Sequence, residues 1–237
     1  MRAVLLDVDD TLVDTRAAFR AAIGAVVATW LPHLDADGRD AALRHWVVDR
    51  TGAFRAYTRG ELDLAAQRRA RATDLHAAFG GPELDDEAAA RWDARYEQAF
   101  RAAWRACEDA LPFLRTATAG GLLLGAVTNM TRDYQVAKLT ALGLDGYLPV
   151  VVGLDTAGAG KPDPRPFLHA CAQLGVAPHE AAYVGDELDV DARAARDAGL
   201  LGVWLDRHGS GLLPPDVPVV RSLAEVPPLL GPARRGI

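Results

Sequence analysis

Short apolar runs alternate along this chain with longer stretches of helical period. The runs Val4–Val8, Leu122–Val127, Leu148–Val152, Ala182–Val184 and Gly202–Leu205 are brief and almost free of polar residues. Uninterrupted apolar segments of that length, separated by helix-like stretches, predict strands covered on both faces of a parallel sheet. Between the first and second runs the period changes. Phe19, Ile23, Val26, Val27 and Trp30 fall on one helical face, and Trp92, Tyr96, Phe100 and Trp104 recur every fourth residue. Residues 15–110 therefore read as an all-helical insertion, too long for a single βα crossover. The expected architecture is α/β, a parallel-sheet core built from residues 1–14 and 111–237 with a helical cap domain, residues 15–110, over it.

Composition changes this picture little. The chain has 237 residues, of which 50% are hydrophobic and 24% charged, ordinary globular usage that leaves no room for a disordered or coiled-coil reading. Its net charge of −6 disfavours a polyphosphate partner, so no nucleic acid is expected. Residues 15–110 carry 14 arginines against 15 acids and the remainder 12 basic against 17 acidic residues, so the excess lies in the core. The longest apolar stretch, Ala21 to Leu31, is interrupted by Gly24 and Thr29 and falls short of the roughly 18–20 residues of a membrane span. Only Val4-Leu5-Leu6 precedes the first aspartates, less than a secretory signal needs; a cytoplasmic location is expected. Cys107 and Cys171 make neither a disulfide framework nor a zinc site, and both fall at apolar positions of helical patterns, as core residues do. The tail from Pro232 to Ile237 is expected to be loosely held.

Candidate chemistry lies where the strands end. The first runs into Asp7-Val8-Asp9-Asp10-Thr11, and in an extended segment Asp7 and Asp9 leave the same face. Two carboxylates that close repel, and unless one is protonated they need a cation; an oxygen-only set suits a hard ion such as Mg²⁺. Asp14 reads instead as an N-cap. Gly185-Asp186-Glu187-Leu188-Asp189-Val190-Asp191 follows the fourth strand. In a parallel sheet Asp186 emerges at the same edge as Asp7, while Asp189 or Asp191 could equally cap the next helix. The second strand ends in Val127-Thr128-Asn129, a hydroxyl, an amide and backbone N–H groups that can bind an anion, though alone the pair is an ordinary turn. Of 26 basic residues only Lys138 and Lys161 are lysine. Lys161 sits in the stiff segment Gly160-Lys161-Pro162-Asp163-Pro164, where a compact ammonium is called for rather than a solvated charge. The six histidines show no HExxH or paired spacing, and no GxSxG elbow occurs.

Taken together these segments resemble the four motifs of the haloacid dehalogenase superfamily of phosphohydrolases. Asp7-Val8-Asp9-Asp10-Thr11 is similar to the DxDxT opening, Thr128 to the second-strand Ser/Thr, Lys161-Pro162-Asp163-Pro164 to the lysine motif, and Gly185-Asp186 with Asp191 to the GDxxxxD ending. Asp10 stands where many relatives have Gly, and Glu187 where they often have Ser. The resemblance implies a Rossmann-like core with a type 1 helical cap and a Mg²⁺-dependent phosphomonoesterase. In that reading Asp7 is the nucleophile, Asp9 the acid/base, and Thr128, Asn129 and Lys161 bind the phosphoryl group. Asp7, the Asp9 carbonyl and Asp186 hold the metal, and Asp191 orients its shell. Asp9 disfavours the dehalogenase branch, and a cap without lysine excludes the phosphonate-cleaving one. The Asp-Asp-Thr form, Gly60-Glu61 and the cap arginines look most like phosphatases of nucleoside monophosphates or sugar phosphates. Cap arginines such as Arg16, Arg59 and Arg68 could read the leaving group or simply pair with nearby acids. Cap closure would hinge near Thr15 and Leu111-Pro112. The expected partner is a small phosphate ester, without nucleic acid or membrane, and the chain would work as a monomer or homodimer. The rivals are a sugar phosphomutase of the same superfamily and a non-enzymatic signalling module that accepts phosphate without turnover.

Overall fold

The computed structural model describes residues 1–231; the tail from Pro232 to Ile237 lies outside them. The chain forms two compact units, one of Met1–Asp14 with the chain from Ala106, the other of Thr15–Arg105. It enters on β1 (Ala3–Leu6) and then runs through five helices: α1 (Thr15–Trp30), α2 (Ala36–Val48), α3 (Ala53–Thr58), α4 (Leu64–Phe79) and α5 (Asp86–Ala102). It returns through α6 (Ala110–Ala119), β2 (Leu123–Val127), α7 (Arg132–Ala141), β3 (Val150–Val152) and the short α8 (Leu154–Ala157). After α9 (Arg165–Leu174) come β4 (Ala181–Gly185), a π-helical turn over Leu188–Arg193 that leads into α10 (Ala194–Asp197), β5 (Leu201–Leu205) and β6 (Val219–Val220).

The six strands among the described residues are all parallel, in the order β3-β2-β1-β4-β5-β6. Each β1 residue is fully buried, and its side chains alternate between two cores. Val4 and Leu6 pack with Leu124, Ala126, Val184, Phe113, Leu114 and Leu139 on one side. Ala3 and Leu5 pack with Val127, Tyr183, Phe167 and Cys171 on the other. That double burial is why the strands read as apolar runs without alternation. Gly202 is required by close packing: a Cβ there would lie 1.9 Å from the Ala192 carbonyl oxygen.

The order reverses beside β1, whose successors in sequence lie on one side and β4 on the other. Ligands of open α/β sheets bind at such a switch point. Register makes the placement definite. Leu6 pairs with Ala126 on β2 and with Val184 on β4, so Asp7 leaves the sheet level with Val127 and Gly185, one residue before Thr128 and Asp186.

The helical unit has its own core. Ala18, Ala22, Ile23, Val26 and Val27 of α1 pack with Trp92, Tyr96 and Phe100 of α5. Those three aromatics stack along α5 at centroid spacings of 5.5 and 5.7 Å, and Trp46 lies against the first two. Three helices begin on aspartates whose carboxylates accept a backbone N–H three residues on, Asp35 from Gly38, Asp63 from Ala66 and Asp85 from Ala88. The cap arginines are largely spent within this unit. Arg59 pairs with Glu61, Arg68 with Asp93 and Glu97, and Arg69 with Asp86, while Arg71 donates to the Trp46 carbonyl and stacks 4.0 Å from that ring.

Several details differ from the sequence reading. β1 stops at Leu6, so Asp9 lies in a loop and not on a strand face. β6 is a strand of two residues that no periodicity could reveal. Trp104 lies beyond α5, and Cys107 precedes α6 in a loop, half-buried against the core. Leu111 and Pro112 sit in the first turn of α6 and form no linker; the units divide at Arg105/Ala106. No helix among the described residues is long and apolar enough to cross a membrane. Gly202→Val should destabilise the protein by at least the ~1–3 kcal/mol of an overpacked core, seen as a lower urea midpoint, because its neighbour is backbone and cannot turn aside.

Candidate active site

Asp7 is held by its backbone, whose N–H donates to the Val184 carbonyl at 2.9 Å, and by its carboxylate. Asp7 Oδ1 accepts from Lys161 Nζ at 2.6 Å. The same ammonium donates to Asp191 Oδ1 at 2.7 Å and to the Tyr183 hydroxyl at 2.8 Å, which uses all three of its N–H groups. Tyr183 stands in the middle of β4 and passes its own proton on to the Val127 carbonyl, 3.0 Å away. Lys161 is 5% and Asp191 1% exposed, so this is a buried ion cluster and not a surface pair.

The loop carrying Lys161 is fixed by Asn129. Asn129 Oδ1 accepts from the Lys161 backbone N–H at 2.7 Å, and its Nδ2 donates to the Lys161 carbonyl at 2.9 Å; the Lys161-Pro162 peptide is cis. The Asn129 side chain thus serves the lysine loop through both its oxygen and one of its two amide N–H groups.

Asp191 makes no side-chain cap to the helical turns that follow and bonds in two directions. Its Oδ1 faces Lys161, while Oδ2 accepts the Glu187 backbone N–H at 2.9 Å and closes the turn after β4. Gly185 makes room for it: a Cβ there would lie 2.4 Å from the Asp191 carboxyl. Asp189 points elsewhere and pairs with Arg193.

Asp9 and Thr128 form a second group. Asp9 Oδ1 accepts from Lys138 Nζ and Oδ2 from Gln135 Nε2, both at 2.6 Å. Gln135 Nε2 also donates to Thr128 Oγ1 at 2.8 Å. Just beyond Asp9 the chain bends at Asp10, with a left-handed φ of 57°. Glycine reaches that conformation freely and aspartate tolerates it better than most residues, which accounts for Asp10 where relatives have Gly. Arg207 braces the same bend, donating to the carbonyls of Asp10 and Thr11 and forming a two-pronged pair with Asp109.

Gln135, Lys138, Tyr183 and Arg207 were not anticipated from the sequence. Lys138 alone carried a signal, as one of two lysines among 26 basic residues. Tyr183 lay inside an apolar run, and the other two touch the site only through tertiary contacts.

The acidic residues fit a divalent cation. One carboxylate oxygen each of Asp7, Asp186 and Asp191 lies within 4.8 Å of the others. Burial pushes the Asp7 carboxyl up to about 8, with Lys161 opposing and Asp191 and Asp9 adding to the rise. Burial likewise raises Asp186 to about 9, reinforced by Asp7 and Asp191. Burial also opposes the Lys161 charge, but Asp191 and Asp7 outweigh it and hold the ammonium well above its ordinary value. One ammonium is therefore too little positive charge for three carboxylates. Asp191 already accepts hydrogen bonds at both oxygens, and together with Asp7 and Asp186 it supplies the hard oxygen donors that a divalent ion takes.

A family profile of haloacid dehalogenase-like hydrolases matches residues 1–199, and the chain belongs to that family. It is 35% identical to the phosphoserine phosphatase of Thermus thermophilus, over 91% of this chain and 92% of that one. It is 30% identical to the phosphoglycolate phosphatase of Shigella boydii, over 98% and 93%. Within the family the chain is a phosphatase. Its fold is shared with the HAD-type hydrolase YfnB of Bacillus subtilis, at a TM-score of 0.78 and 22% identity over 97% of this chain and 98% of that one.

The raised carboxyls set a pH dependence. Between about pH 4 and 8 the unfolded chain has released the protons of Asp7 and Asp186 while the folded metal-free protein keeps them, so stability falls as pH rises. The melting temperature of chelator-treated protein should therefore drop from pH 5 to pH 8, and Mg²⁺ should raise it more at pH 8 than at pH 5. A metal-free midpoint that stays level across this range would show that Lys161 already balances the cluster.

Proposed function

We propose that the chain is a Mg²⁺-dependent phosphomonoesterase that hydrolyses a small phosphorylated metabolite through an aspartyl-phosphate on Asp7. The observation that carries this reading is the meeting of Asp7, Lys161, Asp186 and Asp191 at the carboxyl ends of β1 and β4, beside Thr128 at the end of β2. An oxygen nucleophile held by an ammonium at 2.6 Å and flanked by anion donors is the arrangement that phosphoryl transfer to a carboxylate requires.

A carboxylate oxygen of Asp7 attacks phosphorus in line with the leaving oxygen. As the ester P–O bond breaks, Asp9 gives its proton to that oxygen. In the second half-reaction Asp9 takes a proton from the attacking water, the Asp7–phosphoryl bond breaks, and inorganic phosphate leaves. The Thr128 hydroxyl and the Asn129 backbone N–H donate to the phosphoryl oxygens. Lys161, whose donors serve Asp7, Asp191 and Tyr183, contributes its charge at short range. Mg²⁺, held by Asp7, the Asp9 carbonyl and Asp186, would offset repulsion between nucleophile and phosphate dianion. Asp191 keeps Lys161 and the Asp186–Glu187 turn in place.

Substrate selection belongs to the inserted helical unit, residues 15–110 in the sequence reading, acting as a cap. Its paired arginines argue against a polyanionic leaving group. The named relatives act on phosphoserine and phosphoglycolate, which favours a short phosphorylated acid over a nucleoside monophosphate, with sugar phosphates the next class to try. A cytoplasmic enzyme acting as a monomer or homodimer accords with this chemistry.

Asp7→Asn should abolish turnover while leaving the melting temperature near or above that of the parent, since the amide is close in shape but a poor nucleophile. The check is a panel of phosphoserine, phosphoglycolate, sugar phosphates and nucleoside monophosphates, assayed with Mg²⁺ and with chelator. Turnover by folded Asp7→Asn protein would overturn the covalent route.

A further inference from the structure

Residues Gln135 and Lys138 stand one turn apart on α7 and share a face. Lys138 is 1% exposed and Gln135 wholly buried, so neither lies where substrate could be met directly. Their polar atoms are nonetheless spent on two residues of the proposed site. Lys138 Nζ reaches Asp9 Oδ1, while Gln135 Nε2 reaches both Asp9 Oδ2 and Thr128 Oγ1.

The amide orientation of Gln135 is informative. Its Oε1 is buried with no hydrogen-bond partner, a state that costs stability. The opposite orientation would set a carbonyl oxygen against the Asp9 carboxylate. The residue is kept for its two donors, at the expense of its acceptor.

That choice fixes the polarity of Thr128. A threonine hydroxyl has two lone pairs and one proton. Thr128 Oγ1 accepts from Gln135 Nε2 at 2.8 Å and from the Met130 backbone N–H at 3.3 Å. Both lone pairs are then in use, and the hydroxyl proton is left to point at an acceptor that is not part of this network. A phosphoryl oxygen beside Asp7 is such an acceptor. Asp9, gripped through both oxygens from α7, has its carboxyl plane set by the same two side chains.

We propose that Gln135 and Lys138 are positioning residues, which aim the Asp9 carboxyl at the leaving-group oxygen and turn the Thr128 hydroxyl into a donor for the phosphoryl group. The proposal rests on the acid/base reading of Asp9, and the two can fail separately. Of the two site residues Lys138 bonds Asp9, whereas Gln135 bonds both Asp9 and Thr128. Proton delivery matters for an alkyl leaving group and little for p-nitrophenolate, while a donor to the phosphoryl oxygens matters for both.

The test compares kcat and KM of the full-length protein with Mg²⁺ on phosphoserine and on p-nitrophenyl phosphate. Lys138→Met, close in shape but without the charge, should lower kcat on phosphoserine about tenfold to a hundredfold, the usual cost of losing an orienting partner. The loss should exceed that on p-nitrophenyl phosphate by about tenfold, with KM changed less than kcat. Gln135→Leu should lower kcat on both esters, again more on phosphoserine. Lys138→Gln, which keeps a donor for Asp9, should recover part of the difference, and it carries the measurement if the methionine variant does not fold. Equal losses on the two esters, or none, in folded Lys138 variants would overturn the proposal, because a purely structural role leaves their ratio unchanged. Asp9→Asn separates the underlying reading. If it loses phosphoserine turnover while the Lys138 variants keep theirs, only the positioning role falls; if it keeps turnover of both esters, the acid/base assignment falls with it.

Discussion

An ammonium ion buried away from water is tolerable only when carboxylates surround it, and the site of this protein is organised by that requirement. Lys161 can be dry because Asp7 and Asp191 lie within 2.7 Å of its nitrogen and the Tyr183 hydroxyl accepts its third N–H. The three segments involved are remote in sequence. They meet because β1 and β4 are neighbours in register and because the Asn129 side chain pins the lysine loop through its backbone. Removing the Lys161 ammonium would strand these carboxylates in a medium that cannot solvate them.

The same arrangement leaves a surplus of negative charge. With Asp186 added, three carboxylates share one cation, and burial magnifies their repulsion. Structural and chemical demands therefore coincide: a group that must attack an anionic phosphate cannot keep its own surroundings strongly negative. A second cation relieves the surplus, and the sheet edge supplies oxygen donors of the right hardness. On the other flank, α7 holds Asp9 apart from this cluster, so that the two aspartates of one short loop can have different partners and different work.

The parallel sheet was legible because double burial demands continuous apolar runs, and five of the six strands show them. The sixth, Val219–Val220, is too short to form a pattern. The aromatic period that revealed α5 runs one step past its end, since Trp104 keeps the spacing after the helix has stopped. The acidic strand ends were legible for a chemical reason: carboxylates directly after buried strands have few structural uses. Their mutual geometry was less so. Extended spacing placed Asp7 and Asp9 on one face, but the strand ends at Leu6, and Asp9 finds its neighbours on α7. Contacts that join residue 9 to residues 135 and 138, or the bend at Asp10 to Arg207, leave no trace in local periodicity. Only the scarcity of lysine hinted at one of them.

That scarcity has a practical side. Both lysines are interior, Lys138 at 1% and Lys161 at 5% exposure, and every other basic side chain is arginine or histidine. Reagents that acylate amines would find both ε-amino groups shut away in the interior. Dyes, biotin or resin coupled by that chemistry would therefore leave the two ammonium groups of the core, and the carboxylates they hold, unmodified.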